Sequence, residues 1–332
     1  MIRYSLALAA LLALAACDND NPFLAAGADT PVDTPPDEES PVTDAGVPEF
    51  LANNLTAISY DPANNTLSVD MYALDRNDLD VPLEGYTRNL ALEADAPAGY
   101  QVYSYQDDAL DRMFVAIVAR SPDGSVEGAI VVDGGQFTKF FGGGYYGRVS
   151  GDYDPGQSSN DTGLVSYAGN YAGLSNFDAD GDELLPPAGS PDPSILPSQP
   201  AQITGEIFLN VDFDDNSVNG GIYNRSFTNL APAIVTALGS TDLEDIFIIP
   251  TAITNDGTFF GEGNVVDDEQ NPIGSAGGVF GGTDSAGLAG TVRLDGDFID
   301  GLENEAEYGV FVLVQCGQAG DAALCDSIPV NP

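Results

Sequence analysis

Short apolar and aromatic runs, separated by turn residues, follow one another along most of this 332-residue chain. Residues 114–119 are apolar at every position, which is typical of a strand covered on both faces. Elsewhere the runs are rich in β-branched and aromatic residues, and the gaps hold the Asn, Asp, Pro and Gly that close hairpins. Because no helical period is sustained, the pattern predicts an all-β protein.

The C-terminal part of the chain, residues 161–332, contains eight such runs, and we predict that they form an antiparallel eight-stranded β-barrel. The interior of a barrel of this size is filled by side chains or holds one small ligand. A long insertion from Ser175 to Gln202 joins the first two runs, and Leu230–Leu238 is predicted to be the one short helix. The predicted strands are Gly163–Ala172, Ile203–Asp212, Val218–Arg225, Ile246–Thr251, Gly257–Val265, Gly274–Gly281, Gly287–Leu294 and Glu307–Cys316.

Residues 50–160 hold further strand-like runs, which predict a small antiparallel sheet packed on the barrel. Turn-forming residues, 61–65 and 121–124, separate the first two and the last two of these runs. The runs are Leu55–Tyr60, Thr66–Tyr72, Tyr100–Tyr105, Met113–Arg120 and Val126–Val132.

The N-terminal residues 1–16 have the features of a lipoprotein signal peptide. Arg3 precedes an apolar run that is too short to span a bilayer as a helix, and small residues lead directly to Cys17. In such a bacterial lipobox the thiol is diacylated, so we predict that Cys17 carries the lipid that attaches the protein to a membrane. The alternative is an ordinary cleavage site followed by a Cys, and Asp18 leaves the choice of membrane open.

Residues 17–49 are rich in Asp, Glu and Pro and contain no Lys or Arg. Such a segment cannot bury enough apolar surface to fold, and its charges repel one another. We therefore predict a disordered tether that holds the folded body away from the lipid. Binding of a cationic partner is the alternative.

The chain is strongly acidic, with 52 Asp and Glu against 9 Lys and Arg and a net charge of −43. This charge excludes nucleic acid as a partner, because phosphate binding needs a basic surface. An anionic bilayer would repel the body, so membrane attachment depends on the lipid. The acidity is explained either by adaptation to saline surroundings or by a site for cations or a basic protein. The spread of the acids along the chain favours the first explanation.

The chain has three Cys and no His. Without His, neither a Ser-His-Asp nor a Cys-His arrangement can be built, and we predict a non-catalytic protein. Glycoside hydrolysis by two carboxylates is the catalytic alternative, although nothing singles out a pair. In an exported protein, Cys316 and Cys325 are predicted to form a disulfide once Cys17 is lipidated.

Four carboxylates within six residues form a candidate calcium site: Asp178, Asp180, Asp182 and Glu183 surround Gly181. Carboxylate oxygens are the ligands that Ca²⁺ prefers, but the spacing of a complete twelve-residue calcium loop is missing. The alternative is a solvated acidic turn. No other cofactor is predicted.

Residues 137–148 contain five aromatics, three consecutive Gly and the chain's only Lys. One interpretation is an exposed loop in which Phe140, Phe141, Tyr145 and Tyr146 bind a partner, as aromatics often do at interfaces. The alternative is two strands that meet at a Gly corner, with their aromatics in the core.

The Gly-interrupted strands near the C-terminus resemble a known family. Three motifs follow one another: GTFFGEG at 257–263, GGVFGG at 277–282 and GLAGTV at 287–292. This order is similar to the closing strands of the C-terminal barrel in transferrin-binding-protein-B-like bacterial surface lipoproteins. The segment GEIFLNVDF at 205–213 is similar to a strand of that family that ends in an Asp-Phe pair. The resemblance covers residues 163–316.

The resemblance implies a lipid-anchored protein on the surface of the outer membrane whose barrel presents loops to an extracellular protein or small ligand. A handle sheet precedes each barrel in that family, and residues 50–160 correspond to it by position. Members capture host iron carriers or haem-type cargo, or bind host regulators, and a dedicated outer-membrane translocator moves the Slam-dependent type to the surface. No transferrin-contacting motif is found in this sequence. The alternative is a structural acidic surface lipoprotein without a dedicated ligand, stabilised by Ca²⁺.

Overall fold

In a computed structural model, residues 46–72, 83–155, 163–296, 298–299 and 304–327 are described. They belong to one compact unit, Ser40–Pro332. The predicted signal peptide, Cys17 and the tether up to residue 45 lie outside the described residues. Within the described ranges, no helix combines the length and the apolar character needed to cross a membrane.

The first seven strands form one antiparallel sheet in which each strand pairs with its neighbours in the chain. The small antiparallel sheet predicted ahead of the barrel is therefore confirmed. The third strand was not predicted from the sequence. The strands are β1 (Leu55–Asp61), β2 (Thr66–Met71), β3 (Leu83–Arg88), β4 (Gln101–Tyr105), β5 (Phe114–Arg120), β6 (Val126–Asp133) and β7 (Gly142–Arg148).

The next eight strands close into an antiparallel barrel in which the last strand pairs with the first. This confirms the predicted fold class, including the three consecutive strands in the Gly-rich stretch. The predicted insertion between the first two strands is shorter than expected, since the first strand continues to Asp178 and the second begins at Pro200. The strands are β8 (Leu164–Asp178), β9 (Pro200–Asp212), β10 (Ser217–Phe227), β11 (Ile246–Ala252), β12 (Thr258–Val266), β13 (Pro272–Gly281), β14 (Gly287–Gly296) and β15 (Glu305–Gln315).

Strand β5 joins the sheet to the barrel because both of its faces are buried, as its unbroken apolar sequence predicts. On one face, Val115 and Ile117 pack with Val310 of β15. On the other face, Ala116 and Val118 lie in the core inside the curled sheet. Full burial of one Val or Ile side chain stabilises a fold by about 1.5–3 kcal/mol. The two cores therefore fix the sheet on the outside of the barrel.

Three consecutive glycines let β7 lie close to both the barrel and β1. A Cβ atom at Gly142 would overlap the ring of Tyr308, and one at Gly143 would overlap the carbonyl oxygen of Ala52. The glycines lie inside β7 and not at a corner between two strands, as one interpretation of the sequence had it. Glycine is needed at these positions because neighbouring segments of the chain leave no room for a side chain.

The chain has four short helices within its described part: α1 (Glu49–Ala52), α2 (Leu90–Glu93), α3 (Pro232–Leu238) and α4 (Leu324–Ser327). The predicted helix is α3, which ends where Gly239 adopts a left-handed conformation. The prediction of only one helix is wrong. The other three helices have four residues each, which is too short for a periodic pattern to develop.

Candidate functional site

The structure separates the four aromatics that were predicted to bind a partner. Phe141 and Tyr146 are buried, whereas Phe140 and Tyr145 are half-buried. The Phe141 ring packs inside the curled sheet, 5.0 Å from the guanidinium carbon of Arg112, and Tyr146 packs between β7 and the barrel. The core interpretation therefore replaces the exposed-loop prediction for Phe141 and Tyr146. Partner binding by Phe140 and Tyr145 stays a prediction.

The exposed part of this segment is a tight turn between β6 and β7. Gln136 and Lys139 exchange two main-chain hydrogen bonds, each 3.0 Å long. Between them, Phe137 has a φ of 53° and Thr138 a φ of 60°. Left-handed φ values are uncommon outside Gly, Asn and Asp, and for a β-branched residue they are a clear outlier. Hairpin turns that need them at both central positions normally contain Asn and Gly.

A buried ion pair supports this turn. Arg112 and Asp133 pair with side chains that are 2% and 0% exposed. The guanidinium of Arg112 also donates to the carbonyl oxygens of Gln136 at 2.9 Å and Lys139 at 3.0 Å. The carboxylate of Asp133 accepts the N–H of Phe141 at 2.9 Å. Burial raises the pKa of Asp133 to about 6, although the Phe141 N–H and the charge of Arg112 lower it. The carboxylate is therefore charged at neutral pH.

Gln136 joins the main chains of two loops to the turn that carries Phe137. Its side-chain amide donates to the carbonyl oxygen of Leu110 at 2.8 Å and to that of Ile195 at 2.7 Å. Leu110 is 41% exposed, Phe137 60% and Ile195 36%. They come from the β4–β5 loop, the β6–β7 turn and the short 3-10 helix of the β8–β9 loop. We call these three exposed residues, whose main chains meet at Gln136, the apolar patch.

Lys139 lies beside the apolar patch and is exposed. In the part of the chain that the structure describes, each Arg side chain pairs with a carboxylate or a carbonyl oxygen, whereas the ammonium group of Lys139 has no partner. A cleft of about 380 Å³ beside the turn is lined by Phe137, Lys139 and Asp178, among others. The exposed carboxylates of Asp108 and Asp192 lie near the other two patch residues. The site is an apolar centre with one free cation and an acidic rim.

The sequence offered one local signal for this site. A two-residue turn between two strands normally needs Asn or Gly, and here its central residues are Phe137 and Thr138. Leu110 and Ile195 could not be predicted from the sequence, because they lie in loops that are distant in the chain.

The structure does not gather the four predicted calcium ligands into one cluster. Among the described residues, no group of three or more Asp, Glu or Cys side chains is arranged to hold a metal. Glu183 accepts a 2.8 Å hydrogen bond from the side chain of Asn89, the residue that caps α2. Asp178, Asp180 and Asp182 are exposed. This arrangement matches the alternative, a solvated acidic turn, and calcium binding stays a prediction.

The barrel interior is filled by apolar side chains around one charged cluster. Phe259 and Phe280 are fully buried there. Arg225 and Glu307 form an ion pair with side chains 2% and 0% exposed, and Glu307 also accepts the Tyr171 hydroxyl at 2.6 Å. Burial and the negative charge of Glu307 raise the pKa of Tyr171 well above its usual value. Because Glu307 is paired and inaccessible, it cannot act as an acid or base on an external substrate.

The predicted disulfide is confirmed: Cys316 and Cys325 are bonded, with their Cα atoms 5.4 Å apart. Cys325 packs with Ala168 and Phe208 on the outer surface of the barrel. The bond therefore fastens α4, the last described helix, to strands β8 and β9.

Solved structures similar to this chain are transferrin-binding proteins B. Intact Ap-TbpB, with its N and C lobes, is 12% identical at a TM-score of 0.36, with 79% of this chain and 46% of that chain covered. A double mutant of the vaccine antigen TbpB from Haemophilus parasuis Hp5 is 13% identical at 0.36, with 79% and 45% covered. TbpB from serogroup B Neisseria meningitidis is 16% identical at 0.31, with 66% and 36% covered. The chain spans less than half the length of each of these proteins.

No model of a protein family matches the chain, and no curated protein sequence matches it. The family resemblance seen in the sequence agrees with the solved structures named above. The fold of this chain is defined by its own strand order and register: a closed eight-stranded barrel that carries a seven-stranded sheet.

Proposed function

We propose that this chain is a non-catalytic binding protein that holds an extracellular protein partner at its apolar patch. The patch carries the proposal. Leu110, Phe137 and Ile195 are each exposed where their main chains meet at Gln136, on a chain with a net charge of −43. Clusters of exposed apolar side chains mark interaction surfaces. Aromatic residues also contribute disproportionately to binding energy at interfaces.

The barrel and the sheet hold the patch on a rigid support. The N–H of Ser198 in the β8–β9 loop donates to the carbonyl oxygen of Gly135 at 3.1 Å, which joins the barrel side of the patch to the turn. Gln136 and Arg112 fix the turn from the sheet side. Loops that are fixed by such hydrogen bonds keep their geometry better than free loops.

Features of the N-terminus support attachment to a membrane through a lipid, and the family resemblance supports the outer membrane with the body facing outward. The lipobox would place a lipid on Cys17, and the acidic segment that follows would hold the body away from the lipid surface. The predicted tether of residues 17–49 is too long at its end, since Val47 is buried and α1 begins at Glu49. A dedicated translocator would move such a protein to the cell surface. The sequence resemblance to transferrin-binding-protein-B-like lipoproteins supports a host iron-carrier protein as the partner.

Affinity capture with matched variants tests the proposal. The chain with Cys17→Ser, immobilised on beads, is compared with the same chain carrying Phe137→Ser or Leu90→Ser. Leu90 is a suitable control, because it is 69% exposed on α2 and outside the patch. We expect a stoichiometric partner that Leu90→Ser retains and Phe137→Ser loses. Identical recovery by both variants would refute the proposal, and the absence of any partner would favour the structural alternative.

A further inference from the structure

The turn that carries Phe137 is built against the preferences of its own backbone. Phe137 and Thr138 both have left-handed φ values, which L-residues other than Gly, Asn and Asp disfavour. An Asn-Gly pair would form the same turn without this strain. Turn stability therefore does not explain the presence of Phe and Thr at the tip. Strained residues persist only where the surroundings hold them, and they cluster at functional sites.

The surroundings hold this turn from several directions. Arg112 binds the carbonyl oxygens at both ends of the turn, and Asp133 binds the chain where it leaves the turn. The side chain of Gln136 ties the turn to two loops. All three of these supporting side chains are buried, whereas Phe137 and Thr138 are exposed. The buried network fixes the main chain and leaves the tip side chains outside.

We infer that this turn is a preorganised tip that inserts Phe137 into an apolar pocket of a protein partner, where a carboxylate pairs with Lys139. The inference rests on the proposed function and specifies the partner's chemistry. A tip that is rigid before binding loses less conformational entropy on binding than a flexible loop does. The exposed ammonium of Lys139 has no side-chain partner among the described residues, so it is available to a carboxylate of the partner. The acidic rim, with Asp108, Asp178 and Asp192, favours a partner whose surface around the pocket is basic.

The single Lys of the chain provides a probe of the tip without mutation, because the protease Lys-C can cut the chain only after Lys139. Because proteases need an extended segment, we expect the native turn to resist Lys-C. Gln136→Ala, which removes the tie to two loops, should be cut at least tenfold faster, while its circular dichroism spectrum stays that of the native chain.

Thr138→Gly tests the rigidity of the turn separately from its side-chain contacts. It relieves the backbone strain at position 138 and leaves Phe137 and Lys139 in place. We expect it to raise the urea midpoint, to speed Lys-C cleavage and to lower the yield of the partner captured on beads at least fivefold. Asn216→Gly is the matched control, because Asn216 is an exposed turn residue with a φ of 52° far along the chain in the β9–β10 turn. It should leave the yield of captured partner unchanged. In bead capture, Lys139→Glu should lose the partner and Lys139→Arg should keep it.

An unchanged yield of captured partner with Thr138→Gly, or equal capture by Lys139→Glu and Lys139→Arg, would overturn the inference. The proposed function would still stand if Phe137→Ser abolished capture. If Phe137→Ser captured the same partner as the wild-type chain, both the inference and the proposed function would be overturned.

Discussion

Gly134 lies directly against the main chain of Ser198, so closely that a Cβ atom at Gly134 would overlap the carbonyl oxygen of Ser198. Gly134 precedes the β6–β7 turn, and Ser198 belongs to the loop between the first two barrel strands. This contact joins the sheet to the barrel at the apolar patch. It helps to hold Ile195 near Phe137.

Gly134→Ala should therefore destabilise the protein by about 3 kcal/mol or more, because the added methyl group cannot be accommodated without moving main chain. Urea denaturation followed by circular dichroism measures the change. Gly189→Ala is the control, since its Cβ would meet no atom within 4 Å and only its left-handed φ of 78° is unfavourable. We expect the free energy of unfolding of this control to fall by only about 1–2 kcal/mol. Equal losses for the two variants would contradict the close packing at Ser198.

Removing one partner of the buried ion pair inside the barrel should lower the free energy of unfolding. Arg225→Met leaves the Glu307 carboxylate buried without its cation, and loss of one partner of a buried pair costs about 3–5 kcal/mol. Adding Glu307→Leu should recover most of this loss. The partly exposed pair of Arg120 and Glu127 is the control, and Arg120→Met should cost about 1 kcal/mol or less. A double variant no more stable than Arg225→Met alone would contradict this account.

The disulfide should stabilise the fold through the loop that it closes. Cys316 and Cys325 are nine residues apart, and a loop of about ten residues corresponds to about 3 kcal/mol in the chain-entropy model. In urea denaturation, the free energy of unfolding of the double variant Cys316→Ser/Cys325→Ser should be lower by this amount. Dithiothreitol should lower the urea midpoint of the wild-type chain but not that of the variant. An identical midpoint for both proteins would show that the bond contributes nothing.

Partly buried tyrosines should make the protein sensitive to alkali. Burial raises the pKa of Tyr60 and of Tyr145 from 10.0 to about 12. Because the folded-state pKa exceeds the unfolded-state value, the stability contributed by each phenol is fully present below pH 10 and is lost as the pH rises through about 12. Phenolate absorbance and circular dichroism, recorded together, should show these tyrosines ionising as the fold is lost. Complete ionisation near pH 10 with an intact fold would contradict their burial.

The strands were predictable from the sequence because their signals are local. An unbroken apolar run predicts the double burial of β5, and aromatic residues spaced by Gly and turn residues predict β12 to β14. In contrast, α1, α2 and α4 are too short to produce a helical period. Strand β3 was not predicted because only two of its six residues, Leu83 and Tyr86, are apolar, and Gly85 lies between them.

The candidate site was less predictable because it depends on contacts between distant parts of the chain. The sequence drew attention to the aromatics of residues 137–148, but it could not separate exposed Phe137 from buried Phe141. That difference is set by the ion pair of Arg112 and Asp133, which holds the main chain of Phe141 under the turn. Leu110 and Ile195 join the site only through the side-chain amide of Gln136, a contact that leaves no local pattern.

Photocrosslinking from the tip of the turn tests the central claim most directly. Phe137 is replaced by the photoreactive analogue p-benzoylphenylalanine in living cells, and the same analogue is placed at position 90 as an exposed site outside the patch. The account predicts a light-dependent adduct with one protein partner from position 137 and none with that partner from position 90. No adduct from position 137, or the same adduct from both positions, would contradict it.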